Sequence, residues 1–493
     1  MEIHPTEMSR GENDYDEEAL QRLTSAIIQK IGEGTQKTES FFSSAHIWRV
    51  PRELRKLKKS AYTPRLIAIG PLHQKDEHLQ TPLQHVKMSY TNYLLQRLTA
   101  GMEDQELAEQ KKFTVVQKCL AEMKTSIDQA KKCYAAEVTL DEEMMFVDGC
   151  FILEFLYRDL QDTLEGGKTD PIFGNSSTLP DVINDLILLE NQIPFFVLEK
   201  LFAFTVGQIP NRLDNLPLTY YVRKCYSGWV RTLRNSDNSG SARSTWCSPR
   251  DCVLGVFGCT AEEEGQKGNI DDHRSTAKYY HILHNLHDGY LPAHDQTKQI
   301  LLDFDYREMP SASELVYAGV KFVPDAGNDL FKFKFTEPKG LFRRCHRARF
   351  KIPPLAIYDG TEALLRNLIA LEQCCPGVSR HVSSYAHVMD TLVNTDKDIQ
   401  ALEKAGVLRN CLGATQDATD LFNNLCKEIV AGEYFLDTCC EATEYSKRFW
   451  PKNIAHVRRT YFDSPWTFIA FCVGFIAFVI SLVGFVSDFG KKG

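Results

Sequence analysis

Residues Val182 to Phe204 read VINDLILLENQIPFFVLEKLFAF, and the reading of this block decides the fold. It is dense in Leu, Ile and Phe, yet Asp185, Glu190 and Glu199 interrupt it at short intervals. A bilayer-spanning helix needs roughly 18 to 20 residues with few or no charges, so the block belongs in a buried core. The same argument applies to Met144 to Leu156, MMFVDGCFILEFL, where Asp148 and Glu154 interrupt. Both are expected as central helices of a mainly helical chain. Pro194 must break or kink the second, because proline has no backbone N–H and crowds the preceding turn.

The polar residues inside these blocks are the most informative. Glu190, Asn191 and Gln192 would each cost several kcal/mol, about 2–7, if buried without hydrogen bonds. A complementary pattern lies in TEALLRNLIALEQC, Thr361 to Cys374, where Glu362, Arg366 and Glu372 interrupt an apolar stripe, so Arg366 or Asn367 is the expected partner of Glu190. The favoured reading is a buried polar network of Asp148, Glu190, Asn191, Gln192, Glu362, Arg366 and Asn367 that fixes helix register. The alternative makes Asp148, Glu190 and Arg366 the ligand or catalytic site of an enzyme of unrecognised class.

Working outward, residues 1–44 form an acidic leader in which Leu20, Leu23, Ile27 and Ile31 recur at helical steps, giving one short amphipathic helix. Leu66 to Ile69, LIAI, ends at Gly70-Pro71 and reads as a strand. Helix is expected from Leu83 to Lys132, loop from Gly166 to Pro180, and a long polar surface insertion over 234–278. GVKFV at 319–323, LFKFKF at 330–335 and ARFKIPPLAI at 348–357 suggest a small antiparallel sheet. Helical periodicity returns from Thr361 to Tyr445. The expected fold class is mainly α (α+β): a large helical domain over 45–460 with a small antiparallel β-sheet, plus one C-terminal transmembrane helix.

That last element is expected over 461–486, where Trp466 to Val486, WTFIAFCVGFIAFVISLVGFV, carries no charge over twenty-one residues and is followed only by the short tail 487–493. Its length matches a bilayer core, and the N-terminus has no apolar signal segment. The expectation is therefore a single-pass, tail-anchored protein with the lipid bilayer as partner and its soluble domain in the cytosol. In that setting the sequon Asn175-Ser176-Ser177 stays unmodified.

Composition excludes some classes of function. With 43% hydrophobic and 25% charged residues the chain is ordinary globular material, and a net charge of −8 gives no reason to expect a nucleic-acid partner. The basic runs Arg49 to Lys59 and Arg343 to Lys351 read as solvated faces. Fifteen scattered cysteines indicate reduced thiols. Cys247, Cys252 and Cys259, with His273 beyond, lack a CxxC pair, so no zinc site is assigned there. His281, His284 and His287 with Asp288 could ligate a metal but read better as satisfied imidazoles on a packed helix. His73, on the turn after LIAI, is read as structural, since no GxSxG, HExxH, GxxxxGK[ST] or GxGxxG accompanies it. No cofactor is expected.

Several blocks together are recognisable: IWRVPRELR with AYTPRLIAIGPLH, MMFVDGCFILEFL, DLILLENQIPFFVLEKLF, PSASELVYAGVKF, IPPLAIYDGTEALLRNLIALEQC and SSYAHVMDTLVNTDKDIQALEKAGVL, with YFDSPWTFIA before the apolar terminus. From about residue 46 onward the chain resembles the plant-specific family called domain of unknown function 247. One block departs from the family pattern, with Leu83-Gln84 standing where a Met-Glu pair is usual before Lys87. The resemblance implies a large helical domain with a C-terminal anchor and no established chemistry. Some grass members of the family are associated with pollen-side self-incompatibility, which implies recognition more than catalysis. The sequence reading is thus a non-enzymatic protein-interaction or signalling module with an unknown protein partner. Its rivals are the enzyme above and a receptor-like protein with the soluble domain outside the cytosol.

Overall fold

The computed structural model describes residues 10–161, 170–175, 177–210, 212, 216–227, 279–291, 308–325, 332–338, 347–448, 469 and 473–481. Among these, helix dominates. The central helix α5 (Glu142–Gln161) is buried all round from Asp148 to Arg158. It packs against α3 (His85–Leu98), α4 (Gln105–Lys132), α7 (Phe195–Phe204) and α8 (Leu218–Ser227). Close approach to α7 depends on Gly149, where a Cβ would fall 2.2 Å from a Leu201 methyl. Asp104 starts α4 by accepting from the N–H groups of Glu106 and Leu107 at 2.9 and 3.1 Å.

N-terminal to this bundle lie α1 (Arg10–Ser44) and α2 (Arg52–Leu57). The leader helix is longer than its sequence pattern suggested, and Leu20, Leu23, Ile27 and Ile31 are all exposed on it. A second group of helices packs around α11 (Thr361–Cys374), together with α9 (Ile282–Tyr290), α12 (His381–Leu392) and α14 (Thr415–Leu425). Shorter pieces complete the described chain: α6 (Thr178–Asp185), α10 (Ala312–Tyr317), α13 (Asp396–Lys404) and α15 (Leu436–Lys447).

The sheet is mixed, which corrects the expected antiparallel one. Strand β3 (Arg349–Ile352) pairs in parallel with β1 (Lys321–Pro324) on one side and antiparallel with β2 (Lys334–Thr336) on the other. This register aligns Phe322, Phe350 and Phe335 in one buried row, with Phe322 stacked on Phe350 at 5.6 Å and Phe335 edge-on at 5.9 Å. A separate parallel pair joins β4 (Leu355–Ile357) to β5 (Leu408–Asn410). The latter strand is three residues long and interrupts a region whose periodicity reads as helix.

Two further corrections have one physical cause. Leu66 to Ile69 is in no strand, and the helix expected from Val182 to Phe204, although broken at Pro194 as expected, already stops at Asp185 and resumes only at Phe195. In both segments side-chain amides and carboxylates replace the backbone partners that a ladder or helix would supply. Gln192 donates to the carbonyls of Leu186 and Leu188 at 2.8 and 2.9 Å, Asn191 donates to the Asp185 carbonyl at 2.9 Å, and the Leu189 N–H donates to Asn367 at 2.9 Å.

The C-terminal expectation is overturned: among the described residues no helix is long and apolar enough to cross a membrane. Of Trp466 to Val486 only Ile469 and residues 473–481 are described, as helix; the remainder lies outside the described residues. The single-pass and tail-anchored readings, and the membrane localisation built on them, lose their support with it. The insertion 234–278, including Cys247, Cys252, Cys259 and His273, also lies outside the described residues.

Candidate functional site

Arg65 to Gly70 runs from the surface into the core outside any helix or strand, its backbone held by side chains: Gln84 Nε2 donates to the Leu66 carbonyl at 3.1 Å, and three others bind its N–H groups. The N–H of Arg65 donates to Asp185 Oδ1 at 2.7 Å, and those of Leu66 and Ile67 donate to Oδ2 at 2.7 and 2.9 Å. Asn191 accepts from the Ile69 N–H at 2.7 Å and donates to the Ile67 carbonyl at 3.0 Å, pairing with one edge of the chain as a neighbouring strand would. Asp148 accepts from the Gly70 N–H at 2.8 Å and from Lys87 Nζ at 2.7 Å. Gly70 sits at φ +66°, and a Cβ there would meet the Gln192 carbonyl oxygen at 2.7 Å, so the turn requires glycine.

Glu190 lies beside this clamp and closes the chain's entry into it. It accepts from the Val50 N–H at 2.6 Å and pairs with Arg55, while Arg49 and His73 approach its other oxygen at 3.6 and 3.4 Å. His73 in turn bonds Asp76 through Nδ1 at 2.8 Å. Burial pushes the Glu190 carboxyl up, but the His73 contact, the Arg55 charge and the Val50 N–H outweigh it and hold the group below its ordinary range. Burial wins at the other two acids: Asp185 is pushed up to about 6 against its three N–H donors, and Asp148 is raised despite Lys87.

The residues expected as one network therefore divide. Asp148, Glu190, Asn191 and Gln192 gather around Arg65–Gly70 and the non-helical 186–193 stretch. Asn367 joins them indirectly, accepting from the Leu189 N–H and donating to the Ala61 and Ala363 carbonyls at 2.7 Å each. Arg366 does not reach Glu190. Its Nε donates to Glu362 Oε1 at 2.8 Å, Lys58 approaches the other Glu362 oxygen at 3.2 Å, and Arg366 Nη2 donates to the Asn424 carbonyl at 3.3 Å. The three acid and base groups of the enzyme reading thus take different partners. Glu362 and Arg366 instead line an open cleft of about 530 Å³ with Lys58, Asp359, Asp417 and Asp420.

The histidines of α9 are satisfied by backbone and by one acid. His281 caps the helix, its Nδ1 accepting from the His284 N–H at 3.3 Å, and His284 Nδ1 accepts from the Tyr280 N–H at 3.1 Å. Burial and neighbouring imidazoles lower both, His284 to about 4, so both are neutral at pH 7. His287 bonds Glu372 at 2.7 Å, and Glu372 also accepts from the N–H groups of Val382 and Ser383 at 2.8 and 2.7 Å, capping α12. Asn175 of the sequon is exposed and accepts from the Ser177 N–H at 3.0 Å.

Nucleophilic thiol chemistry finds no support among the cysteines whose environment is perturbed. Burial raises Cys119 to about 11 and Cys374 to about 12, and raises Cys375, Cys426 and Cys439 further, so each is a neutral thiol at pH 7.

Several partners were not identified from sequence. Arg55 sits in a basic run that reads as a solvated face, and Lys87 in a helix assigned to packing. Arg97 and Arg158, which hold Glu154 at 3.0 and 2.6 Å, belong to the same class. The only local signal for them is a long basic side chain one or two turns from an apolar stripe.

The comparisons agree with the block pattern. A family model described as "Plant protein of unknown function", DUF247, matches residues 47–480. The Arabidopsis thaliana UPF0481 protein At3g47200 is 27% identical over 447 residues, covering 89% of this chain and 84% of its own. The putative UPF0481 protein At3g02645 of the same plant is 21% identical over 497 residues, with 86% of each chain covered. No solved structure matches. The chain accordingly belongs to the DUF247 family of plant proteins, whose function is unknown.

Proposed function

We propose that this protein is a non-enzymatic protein-interaction module. The observation that carries the reading is the clamp itself: Asp148, Asp185 and Asn191 direct their polar atoms to the protein's own backbone and to Lys87. Groups bound in this way set the shape of the core and offer little to a substrate. A catalytic acid, by contrast, must present a proton or lone pair to a ligand in a cleft.

The surface supplies a candidate docking place. A groove of about 620 Å³ between the end of α3 and the first half of α4 is lined by Leu98, Met102, Leu107, Val115 and Phe204, with Lys111 and Lys118 in its wall. Leu107 is 51% exposed. An apolar floor with a basic wall suits an amphipathic segment that carries acidic side chains beside its apolar face. The test is affinity capture from plant tissue with the wild-type protein and with a Leu107→Asp, Val115→Asp double variant whose melting temperature is unchanged. Loss of a specific captured protein supports the reading. Identical capture by both proteins, or turnover of a small molecule by the purified wild type, overturns it.

A further inference from the structure

The helices around α11 gather three metal-ligating side chains that no part of the interaction reading uses. His387 and Asp390 lie one turn apart on one face of α12, and Cys426 is the C-cap residue of α14. The donor atoms, an imidazole nitrogen, a carboxylate oxygen and a thiol sulfur, all lie within 4.8 Å of one another, and each residue is part-buried.

Packing holds the three ligands in place before any ion arrives. Helices α12 and α14 pack directly on each other. Asn423 on α14 reaches the Asn394 carbonyl just beyond α12 at 3.5 Å. Beyond Cys426 the chain turns through Glu428 at φ +61° and is tied back by Gln373, which accepts from the Val430 N–H and donates to its carbonyl, both at 3.0 Å. Cys426 is therefore fixed on both sides, and the ligand set is supported by rigid elements as a metal site requires.

We propose that His387, Asp390 and Cys426 bind one zinc ion, with a fourth position open to water or an external ligand. Zinc takes nitrogen, oxygen and sulfur ligands at about 2.0–2.3 Å in a tetrahedron, which places donor atoms roughly 3.5 Å apart, so side-chain rotations of about 1 Å close the trio. The mixed set excludes magnesium and calcium, which prefer oxygen alone. Binding replaces the S–H bond with a Zn–S bond and releases that proton to solvent. Thiolate and carboxylate then balance the two charges of the ion. The nearby Arg366 guanidinium, whose charge reaches Cys426, is already engaged by Glu362 at 2.8 Å. Such an ion would join α12 to the end of α14 next to the Glu362–Arg366 cleft.

The experiment is a cobalt titration of the purified full-length protein under reducing conditions, followed by zinc competition. One equivalent of cobalt should give a sulfur-to-cobalt charge-transfer band that zinc abolishes. Cys426→Ser should lose the band while keeping the wild-type circular dichroism, Asp390→Asn should weaken zinc binding at least tenfold, and Cys411→Ser, which alters an exposed thiol, should change nothing. A folded wild type without the band, or a band that persists in Cys426→Ser, overturns the assignment.

Discussion

Two segments of strand-like composition in this protein satisfy their backbones by opposite means. Arg349–Ile352 lies in a sheet, where β1 and β2 supply partners through main-chain ladders that are indifferent to side-chain identity. Among the described residues Arg65–Gly70 has no such neighbours, and Asp185, Asn191 and Asp148 take the place of a strand. A ladder distributes its dependence over many residues, whereas a clamp concentrates it on a few. Single substitutions should therefore be far more damaging around the clamp than at the outward-facing positions of the sheet.

The largest effect is expected at Asp185. Its removal in Asp185→Ala leaves three N–H donors without their acceptor, the part-buried ones of Arg65 and Leu66 and the buried one of Ile67. At about 1–3 kcal/mol for each unsatisfied buried group, the loss should total about 4–6 kcal/mol by chemical denaturation. Asp185→Asn keeps one acceptor and should cost less. A loss under about 1.5 kcal/mol in Asp185→Ala would mean that water or a shifted backbone replaces the carboxylate, and the contrast with the sheet would collapse.

Glu190 comes next, since Glu190→Ala leaves Arg55 and His73 facing a vacated buried position. Breaking one side of a buried pair costs about 3–5 kcal/mol. A double-mutant cycle sharpens the structural division of the network. Glu190→Ala and Arg55→Ala should couple, because they share one ion pair, whereas Glu190→Ala and Arg366→Ala should add within about 0.5 kcal/mol. Coupling between Glu190 and Arg366 would restore the single network that the sequence suggested.

How much of this is legible in the sequence depends on distance along the chain. The core blocks and the helical class follow from periodicity, because apolar spacing is a local record of burial. The apolar density of LIAI was equally plain, yet its reading as a strand failed: the acceptors that hold it lie about 120 residues away at Asp185 and Asn191, and no local pattern encodes that pairing. Glu190 could be recognised as a polar residue needing a partner, but whether the partner is Arg55 or Arg366 is settled only by the fold. The mixed sheet escaped for a similar reason, since alternation marks a strand without giving its direction. Trp466 to Val486 has a span's composition, yet among the described residues no helix is long and apolar enough to cross a membrane.

Solution pH should separate the two acids by sign. Asp185 is raised to about 6 from an unfolded value near 3.9, so its contribution is fully present below that unfolded value and is lost as pH rises through about 6. Glu190 is lowered, so its contribution is present above its unfolded value, near 4.3, and is lost as pH falls through its folded value. The cost of Asp185→Asn should consequently be about 2 kcal/mol greater at pH 4.5 than at pH 7. Glu190→Gln should show the reverse trend, costing less as the solution is acidified below pH 4. A pH-independent cost for Asp185→Asn would place that carboxyl at its ordinary value and remove burial as the dominant influence.

The smallest effect is expected on the sheet's exposed side. Arg349 is exposed at the first position of β3, opposite Lys321 on one neighbour and Thr336 on the other, and the pairing of this strand runs through main-chain groups that alanine also possesses. Replacing Arg349 with Ala should change unfolding free energy by no more than about 0.5 kcal/mol, as for most surface substitutions away from special features. Removal of a like charge from Lys321 offsets part of the lower β-propensity of alanine. The adjacent Phe350 supplies the internal control, because it occupies the buried aromatic row, and Phe350→Ala should cost about 3–5 kcal/mol through cavity formation. A cost above about 1.5 kcal/mol at Arg349 would show that this sheet also relies on a side chain, making the difference between ladder and clamp one of degree.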